Sequence, residues 1–429
     1  MRNSLNKQVF IVFAFSIIFI FPSFSVTENN SDEKGKDIYT PWQRGEFEIH
    51  QISTNCGESA FLIFPDGTTM IIDAGDMRTS RYFPPVPDNN IDTGEKIVEY
   101  ILSMNPRKDK IDFVVLSHFH PDHIGNIAEG KKREKNEQGN FYETGISRIA
   151  RFLNIGKIID RSFPDYNYPQ PYDKNDSSFV NYRRFIEWQK EYKNTRIEGF
   201  NIGSTTQIRP LYEADYNKYF LVRNVACNGK VWNWQKNEIK DYVNANSENL
   251  VKKISENILS TAMLFTYGRF SYLTGGDLCG SLLDEKGRLT NLEAHLGEVA
   301  GEVDVCKTNH HGYFNAMVPE FVEEVNANIY VMPVHDSAHL GEKVITCLIK
   351  RAELMPNKKS LIVPTYVPEN FRDTYSATDF ISHFPPVSGH VVIKVSPGGD
   401  SYSVYILDTK YRIYGTKWKS ETFKSKRIK

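Results

Sequence analysis

A dense group of metal-ligand side chains stands in the stretch LSHFHPDHIG. His118, His120, Asp122 and His123 fall within six positions, directly after the apolar run Phe113–Leu116. Imidazole and carboxylate groups are costly to desolvate and fill a core poorly, so this density after a strand predicts a bound ion rather than core packing. Their nitrogen and oxygen atoms are ligands of first-row metals, with zinc the commonest.

The spacing divides these donors into two groups. His118 and His120 are two residues apart on extended chain, so their side chains face the same way. Asp122 and His123 come after the bend at Pro121 and can face a second point. The pattern therefore predicts two neighbouring binding positions.

The strands before the motif are predicted from short apolar runs. SAFLIF and TTMIIDAGD flank the turn Pro65-Asp66-Gly67 and indicate a hairpin. The apolar run KIDFVVLS indicates a buried strand that leads into the histidines. A helix is expected over residues 95–104, and a second, amphipathic one from Asp176, a candidate N-cap, to Tyr192.

The second half of the chain shows the same alternation of strands and helices. The stretch TAMLFTYGRFSYLTGGD indicates a hairpin that ends at Asp277, and EVDVCKTNHHG and NIYVMPV indicate two further strands. A helix near Glu342–Leu354 and two closing strands, GHVVIKV and YSVYIL, follow. Strands with intervening helices, each strand ending in polar residues, predict an α/β sandwich with a site at the strand ends.

These motifs together resemble the metallo-β-lactamase-fold hydrolases, whose hallmark is His-x-His-x-Asp-His. TTMIIDAGD with Asp73, SYLTGGD with Asp277 and KTNHHG with His310 and His311 follow in the order of that family. The resemblance covers roughly residues 46–400. It implies a four-layer αββα sandwich, and the long segment 128–253 is then predicted to be an insertion that shapes substrate access.

Within that superfamily, two exported groups are most similar to the stretches GESAFLIFPDGTTMIIDAG, SENILSTAMLFTYGRFSYLTGGD and NHHG. One group is the hydrolase domain of bacterial DNA-uptake channel proteins. The other is the cell-wall choline-phosphate esterases.

The resemblance implies two zinc ions and assigns their ligands. These are His118, His120, Asp122, His123, Asp277 and His311. Asp277 would bridge the ions, whereas His310 would face the substrate as a phosphate contact or proton donor. Asp122 and His310 are thus the predicted catalytic residues, and Asp73 is predicted to hydrogen-bond the metal loop.

One ligand of the family pattern is missing. The family supplies another histidine before the bridging aspartate, but none occurs between His123 and His295. The usual spacing before Asp277 falls on Glu256 and Asn257. An oxygen ligand there is harder than imidazole, so the first site would bind zinc less tightly and tolerate manganese better. Two interpretations stay open: an oxygen from one of these residues completes the site, or Asn257 only caps the next element and the site is open.

The remaining histidines carry weaker signals. His335 and His339 occur in PVHDSAHLG, after a strand expected to end near the site. His339 is predicted either to contact substrate or to lie on a surface loop. The others have no partner spacing and are expected to be structural or solvent-facing: His50, His295, His383 and His390.

Two cations a few ångströms apart would lower the pKa of a shared water enough to give hydroxide at neutral pH. The predicted function is hydrolysis of a phosphoester in a small molecule or polymer. Two alternatives remain, a β-lactam or lactone hydrolase and a non-catalytic binding module with an incomplete metal site, because a fold alone does not choose a reaction. The aromatic loop FPDYNYPQPYD is the favoured substrate contact among the aromatic residues of segment 128–253.

The composition limits the protein class. The 429 residues are 40% hydrophobic with net charge −1, which allows a large core and gives no general field for nucleic acid or membrane. No stable nucleic-acid complex is expected. Five cysteines, an odd number without Cys-x-x-Cys spacing, indicate no disulfide framework.

The N-terminus predicts export. Arg2 and Lys7 precede the apolar run Val9–Phe21, and the small residues Ser23 and Ser25 follow. This pattern is typical of a signal peptide (residues 1–25), with a periplasmic or extracellular mature chain; the alternative is an uncleaved anchor. A linker (26–45), a hydrolase domain (46–408) and a solvated basic tail (409–429) would follow.

Overall fold

The computed structural model describes residues 38–54, 57–77, 93–127, 133–243, 254–283, 289–354, 361–368, 371–373, 379–409 and 414–426. The strands are β1 (Phe47–Gln51), β2 (Ala60–Ile63), β3 (Thr69–Ile72), β4 (Lys110–Leu116), β5 (Lys135–Asn136), β6 (Phe141–Tyr142), β7 (Asn154–Asp160), β8 (Arg196–Gly199), β9 (Phe220–Cys227), β10 (Lys230–Asn233), β11 (Glu238–Asp241), β12 (Ala262–Tyr267), β13 (Phe270–Thr274), β14 (Ser281–Leu283), β15 (Leu289–Asn291), β16 (Val305–Lys307), β17 (Ile329–Met332), β18 (Leu361–Pro364), β19 (His390–Val395), β20 (Ser401–Leu407), β21 (Thr416–Lys419) and β22 (Phe423–Lys424). The helices are α1 (Thr93–Met104), α2 (Pro121–Ile124), α3 (Ile146–Phe152), α4 (Ser177–Tyr192), α5 (Leu292–Ala300), α6 (Pro319–Val325) and α7 (Glu342–Glu353).

Two large mixed sheets form the centre of the fold. The first has the strand order β21-β20-β19-β1-β2-β3-β4-β7-β8, and β22 also pairs with β20. The second has the order β11-β10-β9-β12-β13-β16-β17-β18. In both sheets the strands that lead into the predicted site pair in parallel, β3 with β4 and β13 with β16 and then β17. Their carboxyl ends therefore share one edge, which is where ligand sites form in such sheets.

The two sheets pack face to face through alternate residues of their strands. Phe47 of β1 and Phe220 of β9 meet with ring centroids 4.9 Å apart, and Phe64 and Phe220 meet at 4.5 Å. On β4, Val115 joins this inner core, whereas Val114 belongs to a second core on the outer face. The alternation follows from the two-residue period of a strand and means that both faces of the sheet are covered.

Helices cover the outer faces of both sheets. Residues of α1, α3 and α4 pack on the outside of the first sheet, and residues of α5, α6 and α7 pack on the outside of the second. The architecture is the four-layer αββα sandwich of the metallo-β-lactamase fold, so the predicted fold class is confirmed.

Several local predictions are also confirmed. The β2–β3 hairpin pairs Ala60 with Ile72, and the β12–β13 hairpin pairs Met263 with Thr274. Helix α4 begins after Asp176, whose side chain accepts a hydrogen bond from the backbone N–H of Phe179 at 3.0 Å. A side-chain oxygen at that position satisfies a backbone donor that the first helical turn leaves free.

Segment 128–253 differs from the predicted insertion. It supplies β7 and β8, which pair in parallel beside β4, and β9, which pairs with β12. These strands belong to the two central sheets. The segment as a whole is therefore not an insertion into the sandwich, because apolar runs predict strands but not the sheet that each strand joins; its role in substrate access stays a prediction.

The basic tail is likewise not a solvated terminus throughout. Strand β21 pairs with β20, with Trp418 opposite Ile406, and β22 also pairs with β20. The ring of Phe423 stacks on Tyr402 with centroids 5.3 Å apart. Trp418 and Phe423 of the tail pack against the inner core. Burial of their apolar side chains stabilises the attachment of the tail to the sheet, although the tail is rich in positive charge.

The N-terminal predictions fall mostly outside the described residues, since the expected signal peptide and residues 26–37 are not among them. The end of the expected linker packs on the domain, because Tyr39 is buried and Ile38 forms a β-bridge with Gly415. No helix among the described residues is long and apolar enough to span a bilayer. The cysteines within the described ranges are unpaired, and Cys56 lies outside them.

Candidate metal centre

Backbone hydrogen bonds hold the metal-ligand loop in place before any side chain contributes. Ala74 N donates to His123 O at 2.8 Å, Gly75 N to Glu58 O at 2.8 Å, and Glu58 N to Asp122 O at 2.9 Å. A Cβ on Gly75 would lie only 1.6 Å from Asp122 O, so only glycine allows this approach. The ends of β3 and β4 and the loop before β2 thus form one scaffold.

His118 and His120 face one point, as their spacing predicted. His118 Nε2 lies 3.1 Å from His120 Nδ1 and 3.8 Å from Asp277 Oδ2. Burial, together with the nearby His123, lowers the pKa of His118 well below its usual value. The ring is therefore neutral, which is the form that binds a metal.

Four further predicted ligands converge beside this pair. Asp277 Oδ2 lies 3.2 Å from His123 Nε2 and 3.2 Å from His311 Nε2. Asp122 Oδ2 lies 3.6 Å from His123 Nε2 and 3.4 Å from His311 Nε2. Asp122 and His123 follow β4 of the first sheet, whereas Asp277 and His311 follow β13 and β16 of the second. The group therefore joins the two sheets.

The charges in this group depend on one another. Burial raises the pKa of Asp277, but the positive charges on His123 and His311 outweigh it and hold the pKa well below the usual range. Burial lowers the pKa of His123, but Asp277 and Asp122 raise it well above its usual value. A metal ion would take over from these protons the task of balancing the carboxylates.

Unsatisfied atoms in the group fit a metal. His123 Nε2 and Asp277 Oδ1 are buried and have no hydrogen-bond partner. Such atoms are rare in native interiors because they carry a desolvation cost, so they indicate a ligand. Ligand atoms around a tetrahedral zinc, each at about 2.0–2.1 Å, are separated from one another by roughly 3.3 Å. The contacts of Asp277 and Asp122 with the histidines, 3.2 to 3.6 Å, agree with that spacing.

Asp73 supports the loop in the way that the sequence predicted. Its carboxylate accepts hydrogen bonds from Ser117 N and Ser117 Oγ, each at 2.7 Å. It also pairs with His123 Nδ1 at 2.9 Å. This contact directs His123 Nε2 toward Asp277, because the hydrogen bond at one ring nitrogen decides the role of the other.

A buried ion pair supports His311, and no spacing in the sequence indicates it. Glu58 Oε2 lies 3.0 Å from His311 Nδ1 and 2.9 Å from Lys307 Nζ. Lys307 Nζ also donates to Gly276 O at 3.0 Å and Thr308 O at 3.1 Å. The available signal was a single acidic and a single basic residue next to apolar strands, which alone does not indicate that they pair.

Two more histidines reach the centre from the loop after β17. His335 Nε2 lies 3.4 Å from Asp122 Oδ2 and 3.4 Å from His311 Nε2. The ring of His339 stacks on that of His311, with centroids 4.6 Å apart at an angle of 22°. Both side chains are buried, so the surface-loop interpretation of His339 was wrong. The parallel order β13-β16-β17 brings this loop beside the others.

The two candidates for the missing histidine have different positions. Both carboxylate oxygens of Glu256 pair with the guanidinium of Arg161 at 2.7 Å, and one also accepts from Phe119 N at 3.0 Å. Glu256 as a ligand is therefore wrong, since it secures the metal loop instead. Asn257 Nδ2 lies 3.0 Å from His310 Nε2, and Asn257 Oδ1 is buried without a hydrogen-bond partner. Ser255, not Asn257, caps the following turn, so the capping interpretation fails.

His310 and His311 diverge as the resemblance implied. Both have left-handed backbone conformations, with φ of 44° and 53°, which is uncommon for residues other than glycine and marks local strain. His311 points into the centre. The side chain of His310 is 18% exposed, with Nε2 3.9 Å from Asp277 Oδ2 and Nδ1 2.7 Å from Asn315 Oδ1. It therefore lies at the open rim.

The aromatic loop packs against the domain more than the sequence suggested. Tyr166 is buried and donates to Asp160 Oδ2 at 2.6 Å. The ring of Tyr172 meets that of Phe119, between the first two ligand histidines, with centroids 5.5 Å apart. The expectation of an exposed substrate contact is therefore wrong for the buried Tyr166, whereas for the half-buried Tyr172 it stays a prediction.

A family model matches the part of the chain that carries the ligand motif. The model of the Metallo-beta-lactamase superfamily matches residues 53–188, which include the ligand motif at 118–123. No curated protein matches the sequence.

Solved structures are similar only at low identity. One is a mutant of the CmlA beta-hydroxylase, at 12% identity and TM-score 0.38, covering 76% of this chain and 53% of that one. Zn(2+)-bound PqqB from Methylobacterium extorquens is 11% identical with TM-score 0.37, covering 79% of this chain and 87% of that one. Human tRNase Z, short form, is 11% identical with TM-score 0.34, covering 81% of this chain and 98% of that one. The chain thus spans about half the length of the first of these. The protein has the metallo-β-lactamase fold and, within it, a candidate metal centre.

Proposed function

We propose that this protein is an exported metal-dependent hydrolase that cleaves a phosphodiester or phosphomonoester. The observation that carries the proposal is the convergence of Asp122, His123, Asp277 and His311 from two sheets, with distances of 3.2 to 3.6 Å between their donor atoms. Hydrolases of this superfamily use such a centre, and the motif resemblance to DNA-uptake hydrolase domains and choline-phosphate esterases supports phosphate as the group attacked.

The donor set suits two ions, with zinc favoured and manganese tolerated at the first position. His118, His120 and Asp277 would hold the first ion, with the Asn257 oxygen as a further donor. Asp122, His123, Asp277 and His311 would hold the second. Bound ions supply hydroxide at neutral pH and neutralise charge on the attacked group.

The chain's own residues orient this centre and the substrate. Asp73 and Glu58 direct the Nε2 atoms of His123 and His311 inward through contacts of 2.9 and 3.0 Å with their Nδ1 atoms. His310 lies at the open rim, and Asn315 fixes its ring through Nδ1 at 2.7 Å. We assign to His310 the contact with the phosphate or with the leaving oxygen, because its side chain is 18% exposed at the rim while its Nε2 still lies 3.9 Å from Asp277 Oδ2.

Parallel hydrolysis assays on the full, zinc-loaded chain test the bond class. Bis(p-nitrophenyl) phosphate and p-nitrophenyl phosphate are compared with a chromogenic β-lactam and a chromogenic lactone. Turnover of a phosphoester, lost in Asp277→Asn and retained in the distant control His295→Ala, is the expected result. Hydrolysis of the β-lactam or lactone alone would overturn the phosphoester assignment, and no turnover of any substrate by a metal-loaded chain would support the binding module.

Export forms part of the proposal and rests on the N-terminal pattern. Arg2 and Lys7 before the apolar run Val9–Phe21 support a cleaved signal and a mature chain that begins at Val26. N-terminal sequencing of the protein from the periplasm or medium tests it. An intact Met1 in that fraction would contradict cleavage.

A further inference from the structure

We propose that His335 is a ligand of the second metal position, so that one ion binds tightly among Asp122, His123, Asp277, His311 and His335 while the His118/His120 position binds its ion weakly. The inference deepens the proposed metal centre and does not depend on which bond the protein hydrolyses. It gives the second position a fifth ligand and so increases the difference in affinity that the missing histidine already predicts.

The position of His335 Nε2 is that of a ligand. It lies 3.4 Å from Asp122 Oδ2 and 3.4 Å from His311 Nε2, two atoms that are themselves 3.4 Å apart. Three donor atoms at equal separations form one face of a coordination polyhedron, for which a spacing of roughly 3.3 Å is expected around zinc. A histidine kept for substrate would have no reason to approach both ligands equally.

The surroundings of His335 hold it in this position. The residue is buried, and its backbone N–H donates to His339 Nδ1 at 3.3 Å. The preceding Val334 N donates to Thr365 Oγ1 at 2.9 Å, which fixes the chain at the end of β17.

The distribution of imidazoles between the two positions explains why their strengths should differ. The first position has His118 and His120, and the sequence holds no histidine between His123 and His295 that could join them. The second position gains an imidazole from the loop after β17. Imidazole binds zinc better than a neutral amide oxygen does, so the chain concentrates its affinity at the second position.

His339 provides a matched control for His335, because it is a second buried histidine beside His311. Donor atoms of His311, His335 and His339 lie within 4.8 Å of one another. Since His339 Nδ1 accepts from the His335 backbone and its ring stacks on His311, we assign it a positioning role. His339→Phe keeps the ring and removes both nitrogens.

Cobalt titration of the metal-free full chain, followed by visible absorption and metal analysis after dialysis, tests the proposal without an activity assay. The wild type should bind one equivalent tightly and a second weakly. His335→Ala and the larger His335→Gln should lower the affinity for the tightly bound cobalt by more than the about 10- to 100-fold that is typical of losing a residue that only supports a ligand. Both variants should also change the d–d spectrum of that cobalt. His120→Ala should remove only the weak equivalent.

Three results would overturn the assignment. One is a tight equivalent with unchanged affinity and spectrum in both His335 variants. Another is a loss of affinity for the tightly bound cobalt in His339→Phe that matches or exceeds the loss in His335→Ala. The third is removal of the tight equivalent by His120→Ala. Far-ultraviolet circular dichroism of each metal-free variant identifies unfolding, and His335→Gln then serves if His335→Ala does not fold. Failure of the phosphoester assay leaves these outcomes unaffected.

Discussion

Lys307 and Glu58 form an ion pair at 2.9 Å in which each side chain is only 1% exposed. The two residues come from different sheets, since Lys307 ends β16 and Glu58 precedes β2. Burial raises the pKa of Glu58, but Lys307 and His311 outweigh it and lower the pKa to about 2. The carboxylate is thus charged, and it links the second sheet to the first directly behind His311.

Replacing Lys307 by methionine should be strongly destabilising. The change leaves Glu58 charged and without its main partner, and removing one member of a buried pair costs about 3–5 kcal/mol. Adding Glu58→Gln should recover part of that loss, because the side chain left without Lys307 is then no longer a charged carboxylate. Urea unfolding of the metal-free proteins measures the free energy of unfolding. The control Lys135→Met breaks an exposed pair with Glu137 and should change stability by less than about 1 kcal/mol. If Lys307→Met and Lys135→Met lowered the free energy of unfolding equally, the buried pair would not contribute more to stability than an exposed one.

Gly75→Ala should disrupt the metal loop by steric contact alone. The new Cβ would meet Asp122 O at 1.6 Å, so either the loop or β3 must move. We expect lower stability and weaker metal binding together, measured by thermal unfolding and metal titration. Gly301→Ala introduces a Cβ with nothing within 4 Å; its φ of +62° makes alanine costly for stability, but metal affinity should not change. Normal metal affinity in Gly75→Ala would mean that the loop contact does not position Asp122.

Asn257→His should strengthen the first metal position. Imidazole is a better zinc ligand than a neutral amide, and Asn257 lies beside the centre, with Nδ2 3.0 Å from His310 Nε2 and a buried Oδ1 that has no hydrogen-bond partner. The weak equivalent in a zinc titration should shift to tighter binding, whereas the strong one should not change. Equal affinities in the two proteins would show that residue 257 does not reach the ion.

His390→Gln should reduce the sensitivity of the fold to acid. Burial, with His50 and Lys96 nearby, lowers the pKa of His390 to about 3, and its Nδ1 accepts from Ser53 N at 3.1 Å. The unfolded chain binds this proton near the ordinary histidine value but the folded chain does not. The contribution of His390 is therefore complete above that value and falls by about 1.4 kcal/mol per pH unit below it, toward pH 3.

Glutamine offers an oxygen acceptor to Ser53 and cannot take up a proton. Unfolding free energies of the metal-free proteins between pH 7 and 5 should decline less steeply in His390→Gln than in the wild type. Parallel slopes would refute this origin of the acid sensitivity.

Local patterns were enough to predict much of this molecule. The His118–His123 motif, the β2–β3 hairpin and the cap at Asp176 each depend on residues that are close in sequence. The pair of Glu58 and Lys307 depends on packing between sheets, so no spacing could reveal it. The role of His335 follows from the strand order β16-β17, which the apolar runs alone do not define. At residues 256–257 the sequence could not show which neighbour faces the centre. Glu256 pairs with Arg161, whereas Asn257, one position later, contacts His310.

The pairing of β1 with β19 has a consequence for how the chain folds. Phe47 lies opposite Val395 and Gln51 opposite Val391, in the middle of the first sheet. Until residues 390–395 are available, β1 can pair only with β2, and its other edge remains an open template for foreign strands. Such long-range pairing slows folding, because the chain must close a very large loop before the contact forms. A partly synthesised chain should therefore aggregate readily, and its assembly should benefit from a chaperone that shields the β1 edge.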